Sequence, residues 1–154
     1  NAISGIAMIV LHYENRKITL GGIGSGKTLV SKSELLEFAR KNERPMIDAL
    51  HFARNSSARK LIAISMVGAL RYLCGQKSIA QAEQFWTSVG DGAGLSKTDA
   101  AYWLREKLIS NAANAKEKLS RPAMLALCIT AWNKFRANET VRQLKLPETF
   151  PRVK

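Results

Sequence analysis

Residues Gly21 to Thr28 read Gly-Gly-Ile-Gly-Ser-Gly-Lys-Thr and match the pattern G-x-x-x-x-G-K-[S/T] letter for letter. In a nucleotide-binding loop of that form the backbone amides cradle phosphates, the lysine (here Lys27) reaches the terminal phosphates, and the hydroxyl (here Thr28) holds magnesium. The chemistry also requires a buried strand running into the loop, a helix opening inside it, and a parallel sheet whose second strand ends in a magnesium-associated aspartate. Only Lys17 to Leu20 is placed to be that strand, and the next helix signal starts at Ser31. Asp48, Asp91 and Asp99 all fall in helix or turn contexts, and no βαβ alternation follows. The segment is therefore read as a glycine-rich basic connector, residues 21–30, between the first two helices. A P-loop nucleotide binder stands as an alternative function. Its narrower form is a phosphate held at Gly26, Lys27 and Thr28 without hydrolysis.

Other reactive residues are few. His12 and His51 are the only histidines, too few for a metal cluster, although Asp48 precedes His51 by three residues on one helix face. Cys74 and Cys128 sit in apolar helical patterns, which implies packed thiols in a reducing compartment rather than a disulfide or a thiolate metal site. No Gly-x-Ser-x-Gly elbow occurs. The chain is expected to be non-enzymatic, with no cofactor and no metal.

Charge is the remaining signal. Against 12 Asp+Glu the 154 residues carry 24 Lys+Arg, a net charge of +12. A composition that is 46% hydrophobic and only 23% charged excludes a disordered basic tail. A folded polycation favours polyanions, and DNA is the expected partner, bound mainly through phosphates. The candidate contacts are Lys97, Arg105, Lys107, Lys116, Lys118, Arg121, Lys134, Arg136, Arg142 and Lys145, most of them in the strongly basic stretch after residue 115. A helix-turn-helix can be drawn from Ser78 through Gly92 and Gly94 to Leu108, with Lys97, Thr98, Tyr102 and Arg105 facing outward, but its turn is longer than usual. Trp86, Trp103 and Trp132 fall on apolar stripes and are assigned to packing. The alternative class is a protein–protein interaction or assembly domain, homo-oligomeric or otherwise, whose charge serves solubility.

The elements that must position these residues are helical. Ser31 with Glu34, Ser78 with Gln81 and Ser96 with Asp99 have the capping-box form, and Pro45 and Pro122 fall just inside two further helix starts. Ile79, Ala82, Trp86 and Val89 share one face, as do Ala100, Trp103, Leu104 and Leu108, and again Leu125, Cys128, Trp132 and Phe135. Leu61 to Leu73 is apolar almost all round and is predicted to be the central helix. It is too short to span a membrane, and no membrane partner is expected. The fold expected is an all-α, compact bundle of six or seven helices over residues 1–138, followed by an extended basic tail over 139–154 with Pro147 and Pro151. An apolar helical pattern is already running at Ile3, so the chain is expected to be a fragment of something longer.

Several blocks together carry a family resemblance: Ser33-Glu34-Leu35-Leu36-Glu37-Phe38, Phe85 to Leu95, Ala100 to Arg105, Ala131 to Arg136, and Leu144 to Pro151. In this order they resemble the helical C-terminal half of phage and mobile-element proteins whose N-terminal half is a ParB-like, sulfiredoxin-like domain with a DGQHR-type motif. The resemblance implies a DNA-associated role in phage or plasmid biology and an N-terminal ParB-like domain in the same polypeptide. The nucleotide-binding or nuclease motifs of that N-terminal half have no matching position here.

Overall fold

A computed structural model describes residues 2–23, 29–114, 116 and 118–154. Within them the chain builds seven helices: α1 (Ala2–Glu14), α2 (Lys32–Lys41), α3 (Glu43–Asn55), α4 (Ile64–Gly75), α5 (Ile79–Asp91), α6 (Ala100–Ala113) and α7 (Arg121–Arg136). A 3₁₀ turn, Ser57–Lys60, precedes α4, and a two-stranded antiparallel hairpin, β1 (Ile18–Thr19) with β2 (Gly22–Ile23), follows α1. The all-α bundle expected from the sequence is the fold observed.

Helix α4 lies at the centre, packed by α1, α3, α5, α7 and the 3₁₀ turn. Met66, Val67, Gly68, Ala69 and Leu70 are all buried because the helix meets neighbours on every side. The helix is shorter at its start than the apolar run suggested: residues 57–60 form the 3₁₀ turn, and regular α-helix begins only at Ile64. Ile62 stays buried without being helical, which explains why composition alone extended the element.

The start signals are realised unevenly. Ser31 and Glu34 make both bonds of a capping box, at 3.1 and 3.2 Å. The Ser78 hydroxyl accepts the Gln81 amide at 3.2 Å, but the Gln81 side chain turns away to accept a hydrogen bond from Arg136. The box at Ser96 closes a turn rather than a helix: Asp99 Oδ2 accepts the Ser96 amide at 2.8 Å, Asp99 becomes the N-cap, and α6 starts at Ala100. The Ser120 hydroxyl caps α7 through the Ala123 amide at 3.2 Å, with Pro122 in the first turn.

Of the predicted stripes, Ala82, Trp86 and Val89 are fully buried, as are Leu104, Leu108, Leu125, Cys128 and Trp132. Ile79 departs from its stripe and is 56% exposed, because it is the first residue of α5 and the seam closes only one turn later. Phe85 stacks edge-on against Trp86 and Trp132 with centroids 4.8 and 5.8 Å apart, which joins α5 to α7. Both cysteines are free and lie in this core. Burial pushes the Cys74 thiol up, and the Cys128 thiol up to about 12. Neither thiol is a thiolate near neutrality, so native protein is expected to resist iodoacetamide at pH 8.5 and to label at both positions in guanidinium. Rapid native labelling, read by intact mass, would show that the α4–α7 contact opens.

After Asn138, which ends α7 in the left-handed region at φ 55°, the chain forms neither helix nor strand. It is nonetheless inserted into the bundle rather than only laid over it. Val141 and Leu144 are buried, the Val141 amide bonds the Thr98 carbonyl at 2.8 Å, and the Trp103 indole donates to the Val141 carbonyl at 3.0 Å.

Candidate nucleic-acid interface

The ten cations selected from the sequence divide according to what the fold does with them. Arg105, on α6, reaches across to the end of α5, where its Nη1 donates to the carbonyls of Val89, at 2.9 Å, and Gly90. There it satisfies carbonyls that a helix terminus leaves without partners. Gly92 closes the same helix at φ 74°, with the Arg105 side chain standing where a Cβ would have to go. Arg136 donates to Gln81 and lies 5.8 Å over the Trp132 ring, and Lys134 pairs with Glu139 at 3.8 Å. Arg105 and Arg136 thus tie α5 to α6 and to α7, while the Lys134 pair is local to the end of α7.

Lys97, Lys107, Lys116, Lys118, Arg142 and Lys145 are exposed, and their side chains form no ion pair among the described residues. Arg121 is exposed too and donates through Nη2 to the Ser65 hydroxyl at 3.0 Å. Two depressions bring part of this set together. One, of about 190 Å³, is lined by Lys107 and Asn111 of α6, by Asn114 just after it, by Leu119 before α7, and by Leu144 and Leu146 of the tail. Lys118 and Lys145, both exposed, adjoin lining residues in sequence. The Asn111 side chain accepts the Leu119 amide at 2.7 Å, which fixes the approach to α7. The other depression, of about 470 Å³, is lined by Arg59 and Lys60 of the 3₁₀ turn, by Leu61 and Met66, and by Arg121 and Met124 at the start of α7.

Leu119 of the first and Arg121 of the second flank Ser120, the N-cap of α7. Among the described residues no carboxylate lines either depression. The cations that line them, Lys107 in the first and Arg121, Arg59 and Lys60 in the second, make up the candidate band. The positive end of the α7 dipole adds to the same field. Carboxylates stand nearby, Glu106 on α6 and Glu148 in the tail, but outside both depressions. Arg142 follows Val141, which is tied to Thr98 and Trp103, and so lies toward Lys97 instead.

Arg59 and Lys60 were not selected from the sequence. The available signal was Ser56, whose hydroxyl accepts the Ala58 amide at 3.1 Å and opens a turn that presents the next two side chains. The helix-turn-helix sketch is only partly realised. Eight residues separate α5 from α6, Lys97 and Thr98 precede α6, and Arg105 is committed to α5.

Gly26, Lys27 and Thr28 lie outside the described residues. What flanks them is a hairpin in which Gly22 and Ile23 pair back on Thr19 and Ile18, and α2 begins only at Lys32. The sheet of the described residues is antiparallel and two-stranded. The larger cleft near His51, about 550 Å³, contains Asp48, Glu83 and Asp91, but Asp48 pairs with Arg44 at 3.4 Å and Glu83 with Arg71 at 2.9 Å. Among the described residues no group of three His, Cys, Asp or Glu side chains is placed to hold a metal, and no helix is long and apolar enough to cross a membrane. No family model, curated protein or solved structure matches the chain.

Proposed function

We propose that this chain is a DNA-binding or DNA-positioning module that grips nucleic acid through its phosphates and performs no chemistry of its own. The observation that supports it is the set of cations, Lys107, Arg121, Arg59 and Lys60, that line two depressions with no carboxylate among the described lining residues, on a chain of net charge +12. A patch of one sign concentrates a polyanion near it and releases counterions when phosphates dock. Aromatic stacking has little part in this reading: Trp86 and Trp132 are fully buried, and the Trp103 indole is bonded to the carbonyls of Lys97 and Val141. Work in a phage or plasmid setting, beside a ParB-like N-terminal domain and in the bacterial cytoplasm, belongs to the same proposal and rests on the sequence resemblance. The rival assembly reading would use large apolar side chains that are at least 40% exposed, yet no two of them share a helix.

Fluorescence anisotropy with a random duplex tests the proposal. If about four to six phosphates are neutralised, affinity falls roughly 10²- to 10³-fold between about 50 and 200 mM salt. Lys107→Glu, Lys118→Glu and Lys145→Glu together should abolish binding. An equal charge change at Lys32, Arg40 and Lys77, outside the band, should cost far less. Equal losses from the two sets, or a flat salt response, would remove the reading.

A further inference from the structure

His12 lies on α1, 1% exposed, with both ring nitrogens committed. Its Nδ1 is 2.7 Å from the Met8 carbonyl oxygen, and its Nε2 is 3.2 Å from the Val30 amide nitrogen. A carbonyl can only accept and an amide N–H can only donate, so Nδ1 carries the hydrogen and Nε2 offers its lone pair. The site therefore fits the neutral imidazole in a single tautomer. A proton added at Nε2 would remove the acceptor and set one N–H against another.

Val30 is where the chain comes onto α2. The next residue, Ser31, is the N-cap of that helix, and its amide donates to Glu34 Oε1 at 3.2 Å. Helix α2 has no fully buried residue. It leans on the core through the partly buried Leu35, Phe38 and Ala39, so its attachment to α1 depends unusually on the polar tie at its start. Charged groups that act here are Glu34 from α2 and Lys17 from the turn after α1. The Glu34 carboxylate is held below the usual range, first by its bonds to Ser31 and further by Lys17 and His12. It therefore stays ionised under mild acid and is the natural partner for an imidazolium.

We infer that His12 is an acid-sensitive clasp: protonation detaches Val30 from α1, draws Glu34 from the Ser31 amide to the ring, and loosens the start of α2 while the rest of the bundle stays folded. The sign follows from the geometry. Only the neutral ring accepts from Val30, so the tie is complete when the ring is neutral and is lost as the pH falls and the ring charges.

Nuclear magnetic resonance on the full chain between pH 8 and 5 reads this directly. The Val30, Ser31 and Glu34 amides should shift in step with the His12 ring signals, and their hydrogen exchange, corrected for the intrinsic pH dependence, should rise about tenfold, as expected for one lost hydrogen bond. Val67 and Leu70 in α4 should stay unchanged. In Glu34→Gln, which keeps an acceptor for Ser31 but cannot pair with a cation, the same transition should move to lower pH. The inference is overturned if the Val30 amide ignores the ring titration, if α4 opens together with α2, or if Glu34→Gln leaves the midpoint in place.

Discussion

Gly90→Ala is expected to destabilise the domain by about 3–5 kcal/mol, the upper range for a single substitution, and so to lower the melting temperature by about 10 °C or more. Gly90 lies in the last turn of α5 where that helix crosses the 3₁₀ turn. A Cβ there would stand 2.2 Å from Ser57 Oγ, 2.4 Å from the Ala58 nitrogen and 2.6 Å from the Ser57 carbonyl carbon. Two of these three are backbone atoms, which cannot swing aside as a side chain would. Relief requires the turn to retreat from α5, uncovering Ala58, which is fully buried, and shifting the Gly90 carbonyl that Arg105 holds. Ser57→Gly provides the control. It removes the whole side chain, Oγ included, but leaves both backbone contacts, so the double variant should recover little of the loss. A melting temperature within about 2 °C of the parent, or full rescue by Ser57→Gly, would show that the contact yields cheaply.

Which parts of this molecule were legible in the sequence follows from the range of each signal. Capping residues and first-turn prolines act within one turn, so Ser31, Ser78 and Pro122 announced their helices correctly. The same local logic misplaced the start of α6, because a serine and an aspartate three apart close a free-standing turn as readily as a helix. Apolar periodicity found Trp86, Leu104 and Trp132 as core, since 3.6-residue spacing and burial have one cause. It could not separate Leu61 and Ile62 from α4, because burial does not require a helix. The phosphate-loop letters Gly21 to Thr28 are a different case, because Gly26, Lys27 and Thr28 lie outside the described residues. Their chemistry depends on a parallel sheet and a helix opening at the lysine, and the adjoining residues pair as a hairpin.

The candidate site was legible as a charge and not as a surface. Lys107, Lys118, Arg121 and Lys145 were selected because their end of the sequence is basic; of these, Lys107 lines one depression and Arg121 the other. Arg105, Lys134 and Arg136 were selected on the same ground and are spent on a helix end, a carboxylate and an amide. What an arginine does depends on which carbonyls or acids lie within its reach, and those are set by packing between elements far apart in sequence. Arg59 and Lys60 were missed for that reason: they join the band only because α4 brings the 3₁₀ turn beside the start of α7.

Trp132→Ala is expected to cost about 3–5 kcal/mol through the cavity alone, and a second, separable loss should appear in the tail. The indole is fully buried with its ring 5.8 Å from Phe85 and 5.6 Å from Phe135, so truncation empties the joint between α5 and α7. Its Nε1 also donates to the Lys154 carbonyl at 2.9 Å, while Asn133, one residue on, binds the Arg152 carbonyl and the Lys154 amide. The far end of the tail is held from α1 as well. Arg152 donates to the Tyr13 carbonyl at 2.9 Å with its guanidinium 4.0 Å over the Tyr13 ring, and the Val153 amide donates to the Tyr13 hydroxyl at 2.7 Å. Trp132→Phe separates the two roles, because it fills most of the cavity but removes the donor. It should cost far less in global stability, about 1–2 kcal/mol, and should raise hydrogen exchange at Val153 and Lys154 while leaving Val141 protected, since Thr98 and Trp103 hold that residue independently. Calorimetry reads the first effect and exchange mass spectrometry the second. Equal melting temperatures for Trp132→Ala and the parent would overturn the packing argument, and unchanged exchange at the chain end in Trp132→Phe would show that Tyr13 and Asn133 anchor the tail without the indole.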